Sequence, residues 1–182
     1  MKAQEGNITG LDMRIAVSVL ICCLTSVLLD HFGWKFTYGE MKLEIIQKMT
    51  ACISCLLCCQ DTVPVSRTSG INRLIITAIG GTVGILVILL DILLANKCMM
   101  VLLIAAGILL TLFLCKKAKV PYINARIGGV TFILVTCTLA GSARIWYGVF
   151  RFVSTLYSVL VVLLVTWIWE RRKMVKNGTK DK

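Results

Sequence analysis

Acidic residues are scarce in this 182-residue sequence, where 9 Asp and Glu stand against 20 Lys and Arg and there is 1 histidine. Each shortage excludes a chemistry. Asp30, Asp61 and Asp91 lie scattered at the ends of apolar blocks, so there is no acidic cluster to hold the metal ions of a lipid-phosphate transferase. No carboxylate sits in the middle of an apolar block, where a proton relay would place one. Intramembrane proteolysis needs a nucleophile with its base or a pair of metal-binding groups, and the lone His31 beside Asp30 supplies neither. A solvated loop histidine is the expectation there. No glycine-rich phosphate loop with its lysine is present, which argues against direct nucleotide hydrolysis. No polar stretch is long enough to build a separate aqueous domain. The sequence therefore predicts neither an enzyme nor a resident metal or cofactor.

What fills the chain is hydrocarbon: 58% of residues are hydrophobic and 16% charged. Six apolar stretches run over Leu11–Leu29, Met41–Cys59, Ile71–Leu90, Cys98–Cys115, Ile123–Ala140 and Gly148–Trp169. At the helical rise such blocks reach roughly 27–33 Å, enough to cross a hydrocarbon core of about 30 Å. Helices are expected because amides facing lipid must be satisfied within their own segment, and a barrel would need an alternation these runs lack. The first block has no strongly basic leader and no small-x-small cleavage site before Trp34, so it is expected to remain as helix 1. The fold class predicted is an all-α, six-helix transmembrane bundle, with residues 1–170 as one membrane domain and 171–182 as a basic tail.

The net charge of +11 is spread over loops rather than gathered on a polar module, which argues against a nucleic-acid partner. Lys and Arg concentrate in the segments before helix 1, after helices 2 and 4 and beyond helix 6, including Arg67, Lys116, Lys117, Lys119, Arg171 and Arg172. Positive-inside bias then puts both termini in the cytoplasm. Trp34, Phe36, Tyr38, Trp146 and Tyr147 would mark the outer interface, and Tyr122, Trp167 and Trp169 the inner one.

All 9 cysteines fall inside apolar blocks, where thiols pack as small hydrophobes instead of forming a secreted disulfide framework. Cys52, Cys55 and Cys59 share one helical face, and forming the several thiolates a soft metal would need is costly in hydrocarbon, so packing is expected. Helix 2 opens with the polar residues Glu40, Lys42, Glu44, Gln47 and Lys48, and Glu44 with Lys48 has the spacing and order of a favourable helical pair. This opening reads either as an outward extension of the helix with Lys48 snorkelling or as the polar lining of an outer vestibule. Arg14 is expected to snorkel to the inner headgroups. The stretch from Gln60 to Asn72, with Pro64, Ser66, Thr68, Ser69 and Gly70, reads as a loop. Thr77, Gly80, Gly81 and Gly84 then form a small-residue stripe for close helix packing, repeated more weakly by Gly128 and Gly129.

Three helices followed by three helices prompt a search for internal symmetry. Helix 3 opens on Arg73, then Thr77 and Gly80; helix 6 opens on Arg151, then Thr155 and Ser158, at matching offsets along one face. An odd number of crossings separates the halves, so the pattern is that of an inverted repeat of three plus three helices.

With these residues in view, the chain resembles the membrane half of the aromatic acid exporter family, within the wider fusaric acid resistance group of bacterial transporters. The likeness is carried by Cys58–Leu86, CCQDTVPVSRTSGINRLIITAIGGTVGIL: a helix ending in Gln-x-Thr, a short polar loop, then Asn-Arg-Leu ahead of a helix with spaced glycines. Arg151–Val165 resembles that family's related Arg-x-x-x-Thr helix. The architecture is also similar to the plant aluminium-activated malate channels. The resemblance implies a multi-pass protein of the bacterial plasma membrane, working as a homodimer that exports organic or aromatic carboxylates.

Moving an organic anion requires a watered route with positive charge rather than covalent chemistry. Arg73 and Arg151 would offset part of the carboxylate's desolvation cost, and Thr77 and Thr155, one turn further on, would offer hydroxyls. These four are the expected substrate-binding residues, with the bilayer and a second copy as the other partners. The rival expectation is a non-transporting scaffold that docks a separate soluble partner through its glycine stripe and basic tail.

Overall fold

The computed structural model describes residues 9–38, 41–94, 97–138 and 143–178. Among these residues six helices form an all-α bundle that carries a small hairpin: α1 Gly10–His31, β1 Lys35–Tyr38, β2 Met41–Glu44, α2 Lys48–Cys58, α3 Val63–Leu94, α4 Lys97–Lys117, α5 Tyr122–Cys137 and α6 Ala143–Gly178. The expected end of helix 5 at Ala140, and Lys2, Lys180 and Lys182 of the positive-inside pattern, lie outside the described residues.

Helix α1 starts on a capping box, in which Thr9 N–H donates to Asp12 Oδ2 at 2.8 Å and Asp12 N–H donates back to Thr9 Oγ1 at 3.4 Å. It ends where Gly33 adopts a φ of 72°, a conformation in which a Cβ would be strained. Among the described residues, four segments are long and apolar enough to cross a membrane: Gly10–His31, Val63–Leu93, Met99–Lys117 and Ala143–Arg172. The other two helices have 11 and 16 residues, about 16 and 24 Å at the helical rise, less than the roughly 30 Å of a hydrocarbon core.

Helix α1 is organised inside out relative to a helix of a water-soluble protein. On α1 the buried residues are Arg14, Ser18, Cys22 and Ser26, while Leu20, Leu24 and Val27 are exposed. Hydrocarbon accepts leucine as readily as a protein core does, so burial goes to groups that need partners and to small residues that let backbones approach. Helix α3 is central and packs against α4, α5 and α6, with α2 held among α1, α3 and α6. An ideal Cβ on Gly80 would stand 2.6 Å from the Gly128 carbonyl oxygen, so glycine sets the α3–α5 distance. Gly81 and Gly129 meet nothing within 4 Å, and the expected stripe is thus split between a packed face and an open one.

Three local expectations are corrected. The polar opening of helix 2 is instead the antiparallel hairpin, with Phe36 opposite Leu43 and Lys35 opposite Glu44. Its side chains follow a period of two: Leu43 turns inward, and Phe36 packs against Trp146 and, edge to face, Phe150 at centroid distances of 4.8 and 5.3 Å. Glu44 still pairs with Lys48 at 3.2 Å, across a strand end and a helix start. The loop expected through Asn72 is helical from Val63 onward. Pro64 sits in the first turn, where its missing N–H costs nothing, and the free Val63 N–H donates to Glu170 Oε1 at 2.8 Å. Arg14 does not snorkel: it is 4% exposed and donates to the Asp61 and Gly10 carbonyls at 3.0 and 3.2 Å.

Candidate functional site

Arg73 on α3 and Arg151 on α6 are both brought into the protein interior, each 5% exposed. They lie within Coulombic range of one another, across the seam that α2 closes. Arg151 Nη1 donates to Thr50 Oγ1 at 3.1 Å, and its side chain stands beside Tyr147. Arg151 Nε, and both Nε and Nη1 of Arg73, have no hydrogen-bond partner in the protein. Among the described residues the ion pairs join Lys48 to Asp30 and Glu44, and Arg144 to Asp91; neither Arg73 nor Arg151 has a carboxylate partner.

Helix α2 supplies the wall between them. Thr50, Ser54 and Cys58 are four residues apart and all buried, so they form one stripe along it. Thr50 meets Arg151 at one end, and Cys58 lies within Coulombic range of Arg73 at the other. Ser54, between them, is fully buried and its Oγ has no partner. The unpartnered buried side-chain polar atoms found among the described residues therefore belong to three residues of one junction: Ser54, Arg73 and Arg151. Buried polar groups are ordinarily paired, so this concentration requires explanation. Arg14 provides the contrast, an equally buried arginine whose bonds to backbone carbonyls give it a purely structural account.

Thr77 and Thr155 occupy equivalent local positions. Each hydroxyl donates to the backbone carbonyl of its helix's arginine, Thr77 to Arg73 at 2.8 Å and Thr155 to Arg151 at 2.9 Å. With that proton committed, each oxygen keeps acceptor capacity only, so neither threonine acts as a free donor as the sequence led us to expect. Thr77 also lines a cleft of about 280 Å³ between α3 and α6, whose other walls include Gly81, Ile85 and Phe152. Thr155 is completely buried.

A second cavity, of about 360 Å³, opens beneath the hairpin and is lined by Leu43, Glu44, Gln47, Lys48, Thr50 and Tyr147, among others. Gln47 ties this vestibule together. Its N–H donates to Ser154 Oγ at 2.8 Å, its Nε2 to the Tyr147 carbonyl at 3.1 Å, and its Oε1 accepts from Thr50 at 2.9 Å. The vestibule thus ends on Thr50, the residue that holds Arg151. Sequence reasoning set Gln47 in the polar lining of an outer vestibule, but it missed Thr50 and Ser54. Their signal was two hydroxyl residues four positions apart on α2, masked by the three cysteines that share the helix.

Four thiols pack as expected, Cys22, Cys55, Cys58 and Cys59 forming a core cluster with Ala51, Val159 and Val162, whereas Cys52 is half-buried and Cys137 exposed. Among the described residues no three His, Cys, Asp or Glu side chains are arranged to hold a metal ion. The class this architecture defines is a multi-pass membrane protein with a buried cationic junction. No protein-family model, curated protein or solved structure matches the chain.

Proposed function

We propose that this protein is a membrane transporter or channel that carries organic anions, aromatic carboxylates among them, across the bacterial plasma membrane. The observation that carries the reading is the set of unpartnered guanidinium donors on Arg73 and Arg151, two buried arginines with no carboxylate beside them among the described residues. Arginine stays protonated at physiological pH. Withdrawing such a charge from water costs several kcal/mol, and a carboxylate passing through the junction would offset that cost by supplying charge and acceptor oxygens together. The cleft at Thr77 and the vestibule at Thr50 each reach a residue bonded to one of the two arginines.

The matched Arg-x-x-x-Thr bonds of α3 and α6 support the inverted repeat, and positive-inside bias supports cytoplasmic termini with the basic tail at 171–182. The resemblance of Cys58–Leu86 to aromatic acid exporters supports the substrate class and a homodimer. No cofactor takes part in this reading.

The test is efflux of a radiolabelled aromatic carboxylate such as benzoate from proteoliposomes holding wild type, Arg73→Gln or Arg151→Gln at equal insertion. Loss of flux in both variants is the expected outcome, and unchanged flux in both removes the arginines from the route. A scaffold for a soluble partner would account for the close glycine packing but leaves the guanidinium donors unexplained. Benzoate flux through the purified wild-type protein separates the two readings.

A further inference from the structure

Two pairs of thiols face each other across the α1–α2 seam. Cys22 Sγ lies 3.4 Å from Cys55 Sγ, and Cys23 Sγ lies 3.4 Å from Cys52 Sγ. Neighbouring positions on α1 meet positions three apart on α2, so one packing arrangement sets both pairs. A disulfide needs its sulfurs about 2.05 Å apart, which asks each pair to close by roughly 1.4 Å.

Exposure separates two pairs that distance does not. Cys22 and Cys55 are 0% exposed and belong to the core cluster with Ala51 and Val159. Cys23 and Cys52 are half-buried at the bundle surface. Around them the exposed side chains of the two helices are Leu20, Leu24, Val27, Met49, Ile53 and Leu56. A reagent reaching this pair therefore arrives through an apolar surface. Ionised thiols are disfavoured there, but oxidation to a disulfide replaces two S–H groups by a bond that carries no charge.

We infer that Cys23 and Cys52 form a lipid-facing oxidation site for organic hydroperoxides, closing to an α1–α2 disulfide while Cys22 and Cys55 remain reduced. The sulfur of one thiol attacks the terminal peroxide oxygen and the O–O bond breaks. The lipid leaves as an alcohol, taking up the thiol proton, and the sulfur becomes a sulfenic acid. The partner thiol attacks that sulfur, the S–S bond forms, the S–O bond breaks, and the hydroxyl departs with the second proton as water. Two thiols lose two electrons and one hydroperoxide is reduced. This inference rests on the membrane location and is independent of the transport reading.

The experiment treats full-length protein in phospholipid vesicles with cumene hydroperoxide, blocks remaining thiols with N-ethylmaleimide and cleaves at methionine with cyanogen bromide. Met41 and Met49 lie between the two cysteines, so an α1–α2 disulfide keeps their fragments joined until reductant is added. The joined species is expected in wild type and in Cys22→Ser, and its loss is expected in Cys23→Ser and Cys52→Ser. In Cys52→Ser the sulfenic acid on Cys23 is expected to be trapped by dimedone, a readout that a packing role would not produce. The inference is overturned if wild type gives no joined fragment, if Cys22→Ser abolishes it, or if aqueous hydrogen peroxide forms it as fast as cumene hydroperoxide.

Discussion

Replacing Arg73 with methionine should make this protein more stable and less active at once. Arg73 is 5% exposed, two of its three guanidinium nitrogens have no partner, and no carboxylate pairs with it among the described residues. Methionine fills a similar volume without the charge, and exchanging buried charged groups for apolar ones of like size is neutral or stabilising by about 1–4 kcal/mol. The same change at Arg14 should act oppositely. Its donors are bonded to the Asp61 and Gly10 carbonyls, and stranding buried acceptors costs about 1–3 kcal/mol. Denaturant unfolding in detergent would read the two variants against wild type. Adding benzoate extends the test, because a ligand at 100 times its Kd stabilises the folded state by about 2.7 kcal/mol. That increment should appear in wild type and be absent in Arg73→Met. If Arg73→Met unfolds as readily as Arg14→Met, and benzoate stabilises both wild type and Arg73→Met, the argument from unpartnered donors fails.

Other outcomes follow from the packing. Gly80→Val should destabilise by about 1–3 kcal/mol or more, since its first carbon would stand 2.6 Å from the Gly128 carbonyl oxygen, whereas Gly81→Ala should melt like wild type because nothing lies within 4 Å. Thr50→Val removes the acceptor that holds Arg151 at 3.1 Å; a loss of about 1–3 kcal/mol in denaturant unfolding is expected, and an unchanged midpoint would mean that Arg151 finds another partner. Phe36→Ala should free the hairpin from Trp146 and Phe150, seen as faster amide exchange over Lys35–Glu44 with α3 unaffected. Cysteines introduced at Lys117 and Arg172 should be labelled from the same side of sealed vesicles; labelling from opposite sides would refute the assigned orientation.

The helices were legible because a backbone in hydrocarbon has few choices. Unbroken apolar runs in the first, third, fourth and sixth blocks became the four long helices, with ends within a few residues of expectation except at the start of α3 and the end of α6. The hairpin was not legible, since Lys35–Glu44 mixes polar and apolar residues over a span too short to tell period two from period 3.6. What decides it is Phe36 finding Trp146 and Phe150, more than a hundred positions away in the chain. The early start of α3 likewise depends on Glu170 accepting from Val63.

The candidate site divides in the same way. Arg73, Thr77, Arg151 and Thr155 stand out in sequence by charge, matched spacing and resemblance, so the residues could be named before the fold was known. Sequence could not separate them from Arg14, a third arginine four positions ahead of a hydroxyl residue, Ser18, that bonds to its carbonyl in the same manner. Composition and hydropathy determine that this chain is a helical membrane protein, because burial in lipid constrains every backbone amide alike. Only the tertiary structure decides that Arg14 is satisfied while Arg73 and Arg151 are not, because a guanidinium's partners are supplied by whichever helix packs beside it.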